Sequence, residues 1–156
     1  MRLNAKTKGA QGEREFCDYL YKTFGLEQKP ERNLEQVRSG GCDVICFPFA
    51  FEVKRREQLM FGDWWNQVTD AVTKDPSSSA HGLIPVVAFR QNKKEWEFLI
   101  GGNHIGVPFG FIHINKYVFN KWVKNKLAEV ERLRSMYKFN DDLSLTMQKH
   151  LLEAMK

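Results

Sequence analysis

The sequence predicts an α/β fold in which a central mixed sheet is flanked by helices and followed by a C-terminal helical extension. Three observations carry that prediction. Apolar residues recur at helical spacing in 12–24, 63–75 and 115–138. Short β-branched or alternating apolar runs occupy 42–47, 50–54, 82–90 and 94–100. The two kinds of segment are interleaved along the chain rather than grouped, the pattern of a sheet covered by helices.

In order, GEREFCDYLYKTF (12–24) sets Phe16, Cys17, Leu20 and Phe24 on one helical face. Residues 33–38 are expected to form a first strand. GGCDVICFPFAFEVKRRE (40–57) then reads as two strands, 42–47 and 50–54, joined at Pro48. DWWNQVTDAVTKD (63–75) places Trp64, Val68, Ala71 and Val72 on one side of a second helix, with the Trp64-Trp65 pair as core plus rim. KDPSSSAHG (74–82) is a loop. GLIPVVAFR (82–90) and KEWEFLI (94–100) form an antiparallel pair around Gln91 to Lys93, and VPFGFIHI (107–114) adds an edge strand. Residues 115–138 fit a long amphipathic helix through Phe119, Val123, Leu127, Val130 and Tyr137, and 141–155 fit another behind Asn140-Asp141. The order is α-β-β-β-α-β-β with two helices at the end. The expected organisation is a core over 1–114 and a helical extension over 115–156, packed on the core or at a dimer interface, within a single domain.

With 156 residues, 42% of them hydrophobic and 13% aromatic, the chain has enough apolar surface for one packed core. Its opening residues, MRLNAKTKGAQGERE, are basic and lack the apolar run of an export leader. No window approaches the roughly 18 apolar residues of a membrane span. A soluble protein of the cytoplasm (the host's, for a viral chain) is expected, with no membrane partner. Cys17, Cys42 and Cys46 are too few for a disulfide framework and are read as core thiols. His81, His104, His113 and His150 show no metal-ligand spacing, and GGNHIGVPFG lacks the glycine pattern of a nucleotide loop, so no small-molecule cofactor is expected. The net charge of +5, with its basic excess concentrated in 115–156, permits a polyanionic partner.

The chemistry sits in 40–57, where Asp43, Glu52 and Lys54 stand among apolar residues. An unpaired charge there costs several kcal/mol to bury. Side chains alternate along a strand, so Glu52 and Lys54 share one face and Phe51 and Val53 the other. In an antiparallel hairpin, Asp43 joins Glu52 on its face only when paired positions sum to an odd number. Pairing 46 with 49 or 46 with 51 satisfies that rule, and the second leaves a four-residue loop of a common length. Glu13 is a third candidate, three residues before Phe16 and seven before Leu20 and so on the apolar side of the first helix, while Glu15 points away. Two readings stand for Glu13: a first-turn carboxylate favoured by the helix dipole at roughly 0.3–1 kcal/mol, or a member of the acidic cluster. Two carboxylates about 4 Å apart repel by roughly 4 kcal/mol at an effective dielectric near 20. One lysine offsets part of that for three acids, and a divalent cation resolves the rest. Hard oxygen donors suit Mg2+, with Mn2+ as substitute, and do not suit zinc.

The pattern of Glu13, Asp43, eight residues, then Glu52-Val53-Lys54 resembles the PD-(D/E)XK nuclease superfamily, with Cys42 where that motif has proline. KGAQGEREF, VRSGGCDVI, FEVKRRE and GLIPVVAF, in that order, are similar to archaeal-type Holliday junction resolvases over roughly residues 8–100. The resemblance implies a restriction-endonuclease-like core (α-β-β-β-α-β) and a Mg2+-dependent endonuclease acting on branched DNA in recombination and repair. It also implies that Asp43, Glu52 and the backbone carbonyl of Val53 ligate the metal, with Glu13 completing the site. Lys54 would orient and help deprotonate the attacking water, or neutralise charge on the phosphorane. Arg14 and Arg38 occupy positions where similar resolvases keep basic residues, and either would grip a phosphate, with Ser39 assisting.

Arg55 and Arg56 continue past the catalytic strand, and alternation sends one of them toward DNA. Gln67 lies one helical turn from Trp64 and Ala71, which admits a residue that looks into the site and contacts DNA there, or a plain surface glutamine. In the last region Lys116, Lys121, Lys124 and Lys126 either track a phosphate backbone or flank apolar stripes that pack together or across a two-fold axis. Symmetric nicking of a junction needs two active sites, so a homodimer is expected. The alternatives are a nuclease of this superfamily acting on linear duplex, flap or restriction-type DNA, and a catalytically silent DNA-binding module.

Overall fold

The protein is described by a computed structural model covering residues 5–34 and 41–136. The expected strand over 33–38 falls largely outside these residues, as does the expected helix over 141–155. In the described part, Arg32 makes a single antiparallel bridge to Val44. Helix α1 spans Ala5–Phe24, strand β1 Val44–Cys46, β2 Phe49–Arg55, helix α2 Phe61–Thr73, β3 Ile84–Arg90, β4 Glu97–Gly101, β5 Phe111–Asn115 and helix α3 Lys116–Met136. The strands form one mixed sheet in the order β1-β2-β3-β4-β5, with β2 and β3 parallel and the other pairs antiparallel. The α/β class, the mixed sheet and the flanking helices are those expected from the sequence.

α1 begins earlier than its apolar periodicity, because KTKGAQ continues the helix ahead of the apolar stripe. Its two glycines do not break it. Gly12 serves packing: a Cβ there would stand 3.0 Å from Cβ of Arg55, so only glycine lets the helix backbone lie this close to β2. Gly25, at φ +61°, ends the helix with its N–H donating to the carbonyl of Tyr21 at 3.1 Å.

The two faces of the sheet are packed by different helices. On one, Phe16 of α1 is fully buried against the rings of Phe51, Trp96 and Phe98, at centroid distances of 5.0, 5.1 and 6.3 Å. On the other, Trp64 and Val68 of α2 pack with Val87, Phe89 and Leu99, and Trp65 is partly buried at the rim. Alternation along β2 and β3 generates this division, since neighbouring residues must face opposite helices. β1 and β2 pair with Val44 opposite Phe51, Ile45 opposite Ala50 and Cys46 opposite Phe49, across a cis Phe47–Pro48 bond. This is the tighter of the two registers compatible with the sequence, with a two-residue connection rather than four.

The chain divides into two compact units, Met1–Lys116 and Tyr117–Lys156. Within the second, Phe119, Val123, Val130 and Leu133 of α3 are buried at the spacing of one helical stripe. No described helix is long and apolar enough to cross a membrane. The three cysteines are free thiols, and burial pushes Cys17 up to about 11, Cys42 to about 12 and Cys46 to about 11.

Phe16 joins α1 to β2 and β4, so Phe16→Ala is expected to cost about 3–5 kcal/mol in urea unfolding. A loss under about 1 kcal/mol would contradict its place at the centre of that face.

Candidate functional site

β1 is short, and its ladder with β2 stops where Val44 meets Phe51. Beyond that step, residues 52–55 of β2 keep a strand neighbour on the β3 side. Asp43 sits at the step. Its N–H donates to the carbonyl of Phe51 at 2.9 Å, and its Oδ2 accepts the N–H of Val53 at 2.7 Å in place of a ladder bond. The carboxylate is thereby fixed at the edge of β2, and Asp43 is 7% exposed.

Glu52 follows Phe51 and turns to the opposite face, with Lys54 two residues on. Nζ of Lys54 donates to Oε1 of Glu52 at 2.5 Å and to Oε1 of Gln67 on α2 at 3.0 Å. Glu52 is 2% exposed, and its Oε2 is buried with no hydrogen-bond partner among the described residues. Burial, and after it the neighbouring Asp43 carboxylate, push the Glu52 carboxyl up to about 7 against the pull of Lys54.

Glu13 comes from α1 and is 9% exposed. Arg32 is ion-paired with it. Burial raises its carboxyl above the ordinary value, the Arg32 hydrogen bond opposes this, and Asp43 raises it further. The first-turn reading of Glu13 is corrected. α1 starts at Ala5, so more than two turns precede it, and the helix dipole acts only within the first turn.

Arg32 and Asn33 escaped the sequence reading. Asn33 donates its N–H to the Asp43 carbonyl at 2.7 Å and its Nδ2 to the Cys42 carbonyl at 3.1 Å. One dipeptide thus pins the backbone carrying Asp43 and pairs with Glu13. The only local signal was Pro30, which blocks a helix there. Nothing in the sequence says that the freed segment lies beside residues ten positions on.

The remaining candidates divide. Arg14 is exposed and lines a depression with Cys17, Lys29 and Arg32. Arg38 and Ser39 lie outside the described residues. Arg55 Nη1 donates to Glu15 Oε1 at 3.3 Å, and Glu15 is also ion-paired with Arg90, which stacks 5.0 Å from the Trp96 ring. Glu15 therefore bridges the ends of β2 and β3. Arg56 is exposed. Val53 contributes its N–H to Asp43, as above. A groove of about 720 Å3 opens over Lys54, lined by Lys8, Arg55, Arg56, Trp64 and Gln67, with Glu57 and Asp63 as its acidic members.

Among the described residues no group of three His, Cys, Asp or Glu side chains is arranged to hold a metal ion. Two carboxylates do come together, Asp43 and Glu52, with one buried oxygen of Glu52 unused. Magnesium is commonly held by one or two carboxylates, keeping waters or substrate phosphates at its other positions. The donor set therefore fits a hard divalent cation, while the Arg32 pairing leaves Glu13 outside the immediate ligand pair.

No protein-family model matches the chain, and no curated protein matches it in sequence. Among solved structures it is similar to Archaeoglobus fulgidus Hjc, a Holliday junction resolvase from an archaeal hyperthermophile. The TM-score is 0.44 at 19% identity, over 71% of this chain and 86% of that one.

The raised Glu52 carboxyl has a thermodynamic consequence in chelator. Between its ordinary value of 4.5 and about 7, the folded state binds more protons than the unfolded chain, so stability falls as pH rises through that window. Relative to Glu52→Gln, the wild type is expected to lose on the order of 3 kcal/mol between about pH 5 and about pH 8 in urea unfolding. Parallel pH profiles for the two proteins would refute the burial of an unsatisfied carboxylate.

Proposed function

We propose that the chain is a divalent-metal-dependent DNA endonuclease that cuts four-way junctions as a homodimer. The observation that carries the reading is the buried Oε2 of Glu52 beside Asp43, without a hydrogen-bond partner among the described residues, and a lysine two residues further on the same strand. A hydrophobic core has no use for such a charge, and breaking a buried ion pair is strongly destabilising. A cation supplies the missing partner.

In this reading Asp43 and Glu52 hold Mg2+ or Mn2+, with the Val53 carbonyl as a further oxygen and Glu13 behind them. The metal, when bound, supplies Lewis-acid polarisation of a phosphoryl oxygen and a more acidic water. The protein's own groups do the rest. Asp43 is fixed by the Val53 N–H and by Asn33, so its carboxylate need not reorganise. Lys54 presents an ammonium to the attacking water or to charge developing on the phosphorus oxygens. Arg56 and Lys8 line the groove above it and suit a phosphate backbone. Arg14, Arg38 and Ser39 are assigned to phosphate contacts on the resemblance alone. The motif order Glu13, Asp43, Glu52, Lys54 supports the nuclease class, and the flanking segments support a junction.

The test is a labelled four-way junction beside its matched linear duplex, with magnesium or with chelator. Symmetric magnesium-dependent nicks on the junction alone are expected, falling at least about 100-fold in Asp43→Asn. Equal cutting of both DNAs would retain the nuclease and reject junction selectivity. Tight binding without cutting under any metal would favour a silent binding module. A strictly monomeric mass at micromolar concentration, with and without junction, would overturn the homodimer.

A further inference from the structure

Lysine is a poor choice for a fixed charge. Its ammonium rides on a four-carbon stem, and holding that stem in one rotamer costs side-chain entropy. Glu52 alone does not solve this. It sits two residues away on the same strand, so a single 2.5 Å bond leaves the ammonium free to pivot about that contact. A second anchor comes from another element: Oε1 of Gln67, on α2, accepts from Lys54 Nζ at 3.0 Å. Two of the three ammonium hydrogens are then committed to acceptors on two different elements, and the direction of the third is set. Lysine carries donors only, so the Gln67 amide must present its oxygen to Lys54, and its Nε2 is left as the donor end. α2 itself is immobilised by Trp64 and Val68, which are buried against β3 and β4, so the anchor is attached to the core.

We infer that Gln67 is the positioning residue of Lys54: it fixes the ammonium in its working direction, in place of the direct DNA contact expected from the sequence. This deepens the phosphodiesterase reading and rests on it. An exposed glutamine on a helix surface contributes little to stability, so its removal is expected to act on rate rather than on folding.

Gln67→Met keeps the size of the side chain and removes the acceptor, whereas Gln67→Glu keeps an oxygen at the same position. Two readouts apply. The first needs no DNA: the rate at which an amine-reactive acylating reagent labels Lys54, read by peptide mass spectrometry with Lys8 as internal reference. Labelling of Lys54 relative to Lys8 is expected to rise several-fold in Gln67→Met and to return to the wild-type ratio in Gln67→Glu, in line with a lost and restored hydrogen bond. The second is junction cleavage. The rate at saturating junction is expected to fall roughly tenfold in Gln67→Met with junction Kd within about twofold, and to recover in Gln67→Glu. An unchanged Lys54 to Lys8 ratio in Gln67→Met would overturn the inference whatever the cleavage result. So would an equal rise at both lysines, which would mean general loosening, or a loss of junction affinity with the rate intact, which would return Gln67 to DNA contact. If the labelling changes as expected and the wild type cuts no DNA, the positioning of Lys54 stands and the nuclease reading fails.

Discussion

A buried carboxylate with one oxygen unpartnered among the described residues, Glu52 beside Asp43, is the constraint to which the rest of this molecule answers. Such a group tends to take up a proton, to draw in water or to unfold the strand that carries it. The chain opposes all three with local devices. Lys54 covers one oxygen of Glu52, the Val53 N–H fixes the neighbouring aspartate, and Asn33 ties down the backbone on which that aspartate sits. What these devices leave over is one buried oxygen of Glu52 beside the Asp43 carboxylate, with no hydrogen-bond partner among the described residues.

The hydrophobic core makes that arrangement rigid. β2 lies between β1 and β3, with Phe16 packed on one face and the Trp64 cluster serving the other. Because faces alternate with single-residue period, the packing that orients Phe51 toward α1 also orients Glu52 away from it. Displacing either would require a register slip, which would expose the apolar set of the whole strand. Gly12 adds a constraint from the helix side. It brings α1 close to Arg55, and from the same stretch of helix Glu15 ties Arg55 to Arg90. The strand end is therefore braced by charge where the middle is braced by aromatic rings.

Much of this could be read in the sequence, and the parts that could not share a physical cause. The alternation of Phe51, Glu52, Val53 and Lys54 is local and periodic, so the sharing of a face by Glu52 and Lys54 followed directly. Asp43 was tied to that face by parity alone, and the choice between the two registers depended on whether Phe47-Pro48 could turn the chain by itself. The start of α1 was hidden because KTKGAQ carries no apolar stripe, and the reason for Gly12 lies on a strand more than forty residues away. Arg32 and Asn33 were invisible for the same reason: their roles come from a loop laid beside residues 42–44, and no spacing rule encodes that. Gln67 was a candidate from helical phase, but its partner proved to be Lys54.

The central claim is that the Asp43–Glu52 pair is a cation site, and metal binding to the DNA-free protein tests it most directly. Titration of the metal-free protein with Mn2+, with free ion followed by electron paramagnetic resonance, is expected to give saturable binding that weakens at least about tenfold in both Asp43→Asn and Glu52→Gln, since each removes one carboxylate ligand. Binding of equal strength in wild type and both variants, or no binding in the wild type, would contradict the account.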